Sequence, residues 1–482
     1  MEPEHIRFGG GASETLIHPL VAVYLLIAIV LIFVLPRGKA IVPFLIAFFT
    51  IPAGQVFLLG GFHFTALRML ILASLARVAT SRKSPLRGKV PGGLGRVDWV
   101  VAWAVSSFII FSLQWRDPQA AVNAMGTLVE TLGGYLAVRF FVPDGEAVRR
   151  TIKALAVICA INGVCMINER INHINVFGLL GGIPAAVIVR EGTIRSSGVM
   201  GYIWAGTLGG VLIPLFLWLW TEGKSRMVAC AGLIGATAMT VTASASTALM
   251  ALGGSLFALC FWPLRRQMRL IRWGFLIALV GLHLVMKAPV WALIARVDLT
   301  GSSSSDHRYH LVDMTIRHFT DWWLLGYRYY NAWGWDAWDL SNQFVAVALT
   351  GGLLSLTCYI AIFKRSFGVI GTARKRVDGD RRQEWFLWCL GSSMFANLVA
   401  HFGINYPAHL NMGFLPLVVC ISVATFEATQ AAAQNVGTPS QEPFAYTPRV
   451  EGAYALSGVP EQQGRPGLST GRRERPMPWL KA

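Results

Sequence analysis

Charge is what this sequence has least of. Only 14% of its 482 residues are charged against 54% hydrophobic, and the mean hydropathy is +0.52. A soluble domain carries about a quarter charged residues, so this chain cannot dress a water-facing surface in the ordinary way. Acids are scarcer than bases, 25 against 42, for a formal charge of +17. Its seven cysteines fall inside or at the edge of apolar stretches, which suits packing and excludes a disulfide framework or a thiolate metal site. The sequence has no Walker-type phosphate loop, HExxH, CxxC pair or nucleophile elbow. A DxD metal motif is missing too, since Asp336 and Asp339 are separated by Ala337 and Trp338. No internal repeat supports an inverted-repeat transporter. The opening residues include Glu2 and Glu4, with no basic n-region or small-residue cleavage pattern, so no removed signal peptide is expected.

What is present is apolar sequence in runs near twenty residues, without the alternation of barrel strands. In lipid only helices or closed barrels satisfy the backbone. The expected fold is an all-α polytopic integral membrane protein with twelve to thirteen transmembrane helices. The spans are read at 18–35, 40–58, 62–79, 98–115, 119–142, 148–167, 200–220, 227–243, 245–262, 270–287, 343–363, 385–402 and 408–427. Residues 1–17 form a leading segment and 428–482 a tail. The tail is rich in Pro, Gln and Gly and ends basic at Arg472, Arg473 and Arg475, a composition that cannot bury a core and is expected to be disordered.

Lys and Arg in the connections set the orientation, because positive residues are retained in the cytoplasm. Starting from the turn at Arg37, alternate connections hold 25 of them and the other set holds 9. The expectation is a multi-pass protein of the cell inner membrane with an outward N-terminus and a cytoplasmic C-terminus. Loops 168–199 and 288–342 then face outward, the larger standing before the antepenultimate span. The positive charge is accounted for by topology and membrane lipids, and nothing points to nucleic acid.

Chemistry concentrates in those two loops. The longer begins with Gly301 and four serines, then continues as a helical pattern. Val312, Ile316, Phe319 and Trp323 form one apolar stripe, with His310, Asp313, Arg317 and Asp321 opposite, as for a helix on a membrane surface or capping a bundle. Arg308 near its start suits an anion, since a guanidinium and free backbone N–H groups both favour phosphate. Eight Trp and Tyr side chains lie between Trp322 and Trp338. Such aromatics anchor membrane interfaces, and they also suit the flat C–H faces of sugars, with Trp335, Asp336, Asp339 and Asn342 together in the same stretch. The shorter loop holds Arg190, Glu191 and Arg195-Ser196-Ser197-Gly198 before a glycine-rich span. Ionisable residues at membrane depth are functional candidates by default: Arg68, Glu130, His283 and His401 at an outer edge, with Arg68 and Glu130 also able to pair structurally.

Three stretches in this order resemble the O-antigen ligase and polymerase family, integral membrane glycosyltransferases of bacterial surface polysaccharides. Arg195-Ser196-Ser197-Gly198 is similar to the family's arginine-bearing approach to a central span. Arg308, followed by Leu324-Leu325-Gly326-Tyr327, is similar to its arginine and later Leu-Gly. Ser341-Asn342-Gln343-Phe344-Val345, leading to Gly351-Gly352-Leu353-Leu354, resembles its His-Asn-x-aromatic-Leu and Gly-Leu-Leu. The likeness covers roughly residues 180–370. It implies transfer of a glycan from a polyprenyl diphosphate carrier to an acceptor hydroxyl, on a glycan or lipid, without a cofactor or metal. Arg195 and Arg308 would stabilise the departing diphosphate. The competing class is a transporter or flippase of lipid-linked glycan, which would line a pathway at mid-membrane depth with charge.

One departure stands out. Where the family has a histidine thought to help activate the acceptor, this chain has Ser341, which is no base near neutral pH. Asp339, two residues away, is the preferred replacement, with His310 as the second candidate and Asn342 orienting the sugar. Asp339 could equally cap the helix that starts near Gln343.

Overall fold

A computed structural model of the chain describes residues 15–59, 62–81, 97–116, 118–182, 187–190, 192–293, 304–334, 337 and 339–437. Among them the only strands are two short antiparallel hairpins, Val56–Leu59 with Phe62–Thr65 and Ile188–Arg190 with Thr193–Arg195. Five helices are long and apolar enough to cross a membrane: Gly145–Asn172, Tyr202–Glu222, Arg265–Val285, Gln343–Arg376 and Ala408–Gln434. Shorter apolar helices at Pro19–Val34, Ile41–Thr50, Trp99–Trp115, Arg226–Thr242 and Ser246–Cys260 accompany them. The chain is an all-α, multi-pass membrane protein.

Local chemistry explains where these helices start. Asp98, Asp144, Asn342 and Asp380 each stand just before a helix and accept first-turn backbone N–H groups. Small residues then let the helices approach. Gly235 of the Arg226–Thr242 helix lies so close to Gly145–Asn172 that a Cβ there would meet the Cys159 backbone, and Gly232 opposes Ala156 in the same way. Packing of this kind holds helices together where lipid replaces water.

The connections gather at two ends. At the arginine-rich end, Arg77 donates to the Leu35 carbonyl, Arg37 to Phe140 and Arg150 to Gly38. Arg149 pairs with Glu222, while Arg265 and Arg374 share Glu384 at 3.0 and 3.1 Å. At the opposite, loop end sit both hairpins, the turn between Thr242 and Ser246, and a helix at Ser304–Arg317.

Several boundaries differ from the sequence expectation. The spans read at 40–58 and 62–79 are a ten-residue helix, a hairpin and the helix Ala66–Thr80. Pro52 lacks an N–H and Gly54 adopts φ +94°, which stops the first helix, while Gly60-Gly61 between aromatic and β-branched runs is a hairpin signature. The final helix runs to Gly437, ten residues beyond the expected 427, because Ala431-Ala432-Ala433 continues it with the best helix former. Residues 1–14, the rest of the tail, the Gly301–Ser303 run, Trp335, Asp336 and Trp338 lie outside the described residues.

The helix Ser304–Arg317 only partly follows the expected stripe: Val312 is half-buried, and of the expected polar face His310, Arg317 and Asp321 are exposed while Asp313 is buried. Ile316, Phe319 and Trp323 are 46%, 43% and 45% exposed, whereas Ser305, Arg308, Asp313 and Thr315 are buried. Asp313, assigned to the outer polar face, instead accepts from the Trp291 indole at 3.1 Å and pairs with Arg317 at 2.7 Å. In lipid an apolar side chain such as Ile316 can face hydrocarbon, while a carboxylate such as Asp313 turns into the bundle to find partners.

Candidate functional site

The site is built around the tight turn between the Arg226–Thr242 and Ser246–Cys260 helices. Ser244 there has φ +48°, a left-handed residue that reverses the chain without a loop. The Arg195 segment reaches the turn from one side, with Ser196 donating its N–H to the Thr242 carbonyl at 3.1 Å. Arg308 reaches it from the other, its guanidinium donating to Ser246 Oγ at 2.6 Å and Thr247 Oγ1 at 3.3 Å. Thr247 passes its own hydroxyl hydrogen to the Gly403 carbonyl at 2.7 Å. Arg308 is thus fastened to the turn by its side chain, and the segment of Arg195, 113 positions earlier, by the backbone of Ser196; Arg195 and Arg308 are both buried, at 8% and 6% exposure.

Arg195 ends the second hairpin, where it pairs with Ile188, and its guanidinium stands 5.5 Å from the Tyr202 ring. The next residues are held by Glu169. One carboxylate oxygen of this buried residue accepts from the backbone N–H of Ser197 at 2.9 Å and of Gly198 at 3.0 Å. Sequence reading passed over Glu169 because the expected span stopped at 167. The helix continues to Asn172, and an acid inside its apolar pattern was the available signal.

The Leu-Gly and Gly-Gly-Leu-Leu stretches interlock. The helix Gln343–Arg376 is broken at Gly352, with φ +63° and ψ −169°, a conformation essentially confined to glycine. The break frees the Leu349 carbonyl to accept from Tyr327 N–H at 2.8 Å and Gln114 Nε2 at 3.2 Å. It also frees the Leu353 N–H to donate to the Trp323 carbonyl at 2.8 Å. The Trp322–Tyr327 segment therefore plugs a gap about nine residues into the helix, about 14 Å along its axis at about 1.5 Å per residue. Irregular backbone can sit at that depth because protein satisfies it.

The remaining expected residues are found in different settings. Asn342 is 1% exposed, and its side-chain oxygen accepts from Phe344 and Val345 N–H at 3.0 and 3.2 Å, so Asn342, and not Asp339, is the N-cap. Asp339 has an exposed carboxylate, and its neighbour is His307 rather than His310: His307 Nε2 lies 2.9 Å from the Asp339 carbonyl and 3.7 Å from its carboxylate. His310 is exposed and packs on Tyr309. Arg68 pairs with Glu130 at 2.6 Å, the acid lying in a π-helical turn at Val129–Gly133. The aromatic stretch packs partly on itself, with Trp333 stacked between His318 and Tyr327 at 4.7 and 5.2 Å. Trp335 is not among the described residues.

Beside this constellation lies a cavity of about 250 Å3 between the Trp99–Trp115 and Pro118–Leu128 helices and the first turns of Gln343–Arg376. Trp103, Phe108 and Phe111 line one part, and Asn123, Gln343 and Asn411 another. Gln343 ties this wall to the 401–406 segment, whose Gly403 meets Thr247, donating its N–H to the His401 carbonyl at 2.9 Å and accepting from Tyr406 N–H at 2.6 Å. Buried guanidiniums near a mostly apolar cleft that carries a few amides can take an anion with a hydrocarbon part. Compared with known proteins, the chain matches no protein-family model and no curated protein.

Proposed function

We propose that this protein is an inner-membrane glycosyltransferase of the O-antigen ligase or polymerase kind. It moves a glycan from a polyprenyl diphosphate carrier to an acceptor hydroxyl at the outer face. The observation that carries the reading is that the 242–247 turn receives the Arg195 segment, through Ser196 N–H, and the Arg308 guanidinium. A departing diphosphate gains negative charge, and two held guanidiniums offer planar, permanently charged donors for it in a site of low dielectric. The adjoining cleft offers apolar wall for the carrier's chain and amides for sugar hydroxyls.

Acceptor activation falls to the Asp339–His307 pair. The carboxylate and the imidazole lie 3.7 Å apart, two proton-accepting groups side by side at the start of that segment. Asn342 and Gln343 set the backbone of that segment, Asn342 as its cap. The 25-to-9 division of Lys and Arg between connections supports an outward position for this end, with the N-terminus outward and the C-terminus cytoplasmic.

A second reading, a transporter or flippase of lipid-linked glycan, is favoured by one observation: the Arg68–Glu130 pair beside a π-helical turn, a feature frequent at functional sites. A strain lacking the gene separates the two. Lipid-linked glycan accumulating on the outer face is the outcome expected of a transferase. Accumulation on the inner face would refute transfer and leave translocation.

A further inference from the structure

Away from the loop end, the helices Pro19–Val34 and Ile41–Thr50 leave a cavity of about 500 Å3 between them. Its walls include Ile27, Ala28, Leu31, Val42 and Ile46, and Lys39 and Arg150 close one end. At the other end the Tyr24 and Thr50 hydroxyls meet at 2.8 Å. From Tyr24 to Leu35 the wall rises eleven positions. At about 1.5 Å per residue that is about 16 Å, close to the hydrocarbon depth of one leaflet, about 15 Å.

The cationic mouth is a fixed arrangement. Arg150 donates to the Gly38 carbonyl at 3.2 Å, which draws it onto the turn that carries Lys39. The helix Ile41–Thr50 begins beside Lys39 with no side-chain cap, adding the partial positive charge of its N-terminus. Among the described residues the acid paired with Arg150 is Glu146 at 3.4 Å, a half-exposed contact that water screens.

We infer that this groove binds one phospholipid with an anionic headgroup, in the leaflet at the arginine-rich end. An acyl chain lies along the groove, and the phosphate meets Lys39 and Arg150. The length of the apolar wall and the sign of charge at its end together select this occupant over a zwitterionic lipid, which brings a compensating cation. The inference is independent of the chemistry proposed for the loop end.

The test is thermal unfolding of the purified full-length protein in detergent, titrated with phosphatidylglycerol or phosphatidylcholine. Phosphatidylglycerol should raise the melting temperature more than phosphatidylcholine at equal concentration. The double variant Lys39→Gln, Arg150→Gln should weaken the phosphatidylglycerol response by roughly fivefold per cation removed. Leu31→Trp, which fills the groove and leaves both cations, should abolish the difference between the lipids even if the double variant folds poorly. Lys224→Gln, outside the groove, should change nothing. Equal shifts from both lipids, or a specific shift that survives Leu31→Trp, would overturn the inference.

Discussion

Replacing Gly352 with alanine tests the interlock between the broken helix and the Trp322–Tyr327 segment. A Cβ at this position would stand 2.7 Å from the Leu324 carbonyl oxygen and 3.1 Å from that of Trp323. Both are backbone atoms, so no rotamer change relieves the contact. The new side chain must also hold φ +63° with ψ −169°, which costs on the order of 1–3 kcal/mol. Retreat of the segment would break the Leu353–Trp323 hydrogen bond and weaken the Tyr327–Leu349 one, adding about 1–2 kcal/mol. The expected loss is therefore about 2–5 kcal/mol, seen as a melting temperature lower by roughly 2–10 °C in detergent. Gly368→Ala, in the same helix with open space around it, is the control and should be neutral or slightly stabilising. A cysteine at Leu325 should meanwhile become more reactive to thiol reagents in the Gly352→Ala background. Wild-type melting and unchanged reactivity would refute the interlock as a holding device.

Four further outcomes are expected. Arg195→Ala and Arg308→Ala should each abolish glycan transfer with normal membrane abundance and with poor rescue by Lys, whereas Arg317→Ala, which loses only its pair with Asp313, should be mild. Glu169→Ala leaves the Ser197 and Gly198 N–H groups buried without their acceptor and should cost about 2–4 kcal/mol of stability, against a smaller loss for Glu169→Gln, as read by thermal unfolding. Asp339→Asn keeps the backbone carbonyl that meets His307 and removes the carboxylate, so transfer should collapse at unchanged abundance; full transfer would remove Asp339 from the mechanism. Single cysteines at Ser304 and Arg376 should label from outside and inside respectively with an impermeant reagent, and the reverse pattern would invert the topology.

Hydropathy made most of the bundle legible, since runs of apolar residues with acidic or amide caps read directly as helices. It misled at 40–79, where a hairpin as apolar as its flanking helices hides inside a hydropathy window. The Gly60-Gly61 pair was the local signal that a window averages away. The loop helix Ser304–Arg317 was recognised by its period, but which face turns inward depends on the solvent, and the period is silent on that. Both arginines could be chosen from their motifs, while the turn that joins them could not, because Ser246 and Thr247 are ordinary residues at a helix start. His307 and His310 are three positions apart, and only the packing of the segment before Gln343 decides which one meets Asp339.

The loop helix and the turn after it also bear on how the protein can be handled. A stretch of this length between membrane spans would ordinarily be cloned and studied alone as a water-soluble piece. Here the exposed Ile316, Phe319 and Trp323 want hydrocarbon, while Arg308 and Asp313 depend on residues of the surrounding protein. Cut free, the segment would aggregate. Harsh delipidation should dislodge it first while far-ultraviolet dichroism still reports an intact helical bundle, so mild detergents or nanodiscs are the preparations in which the proposed transfer should be tested.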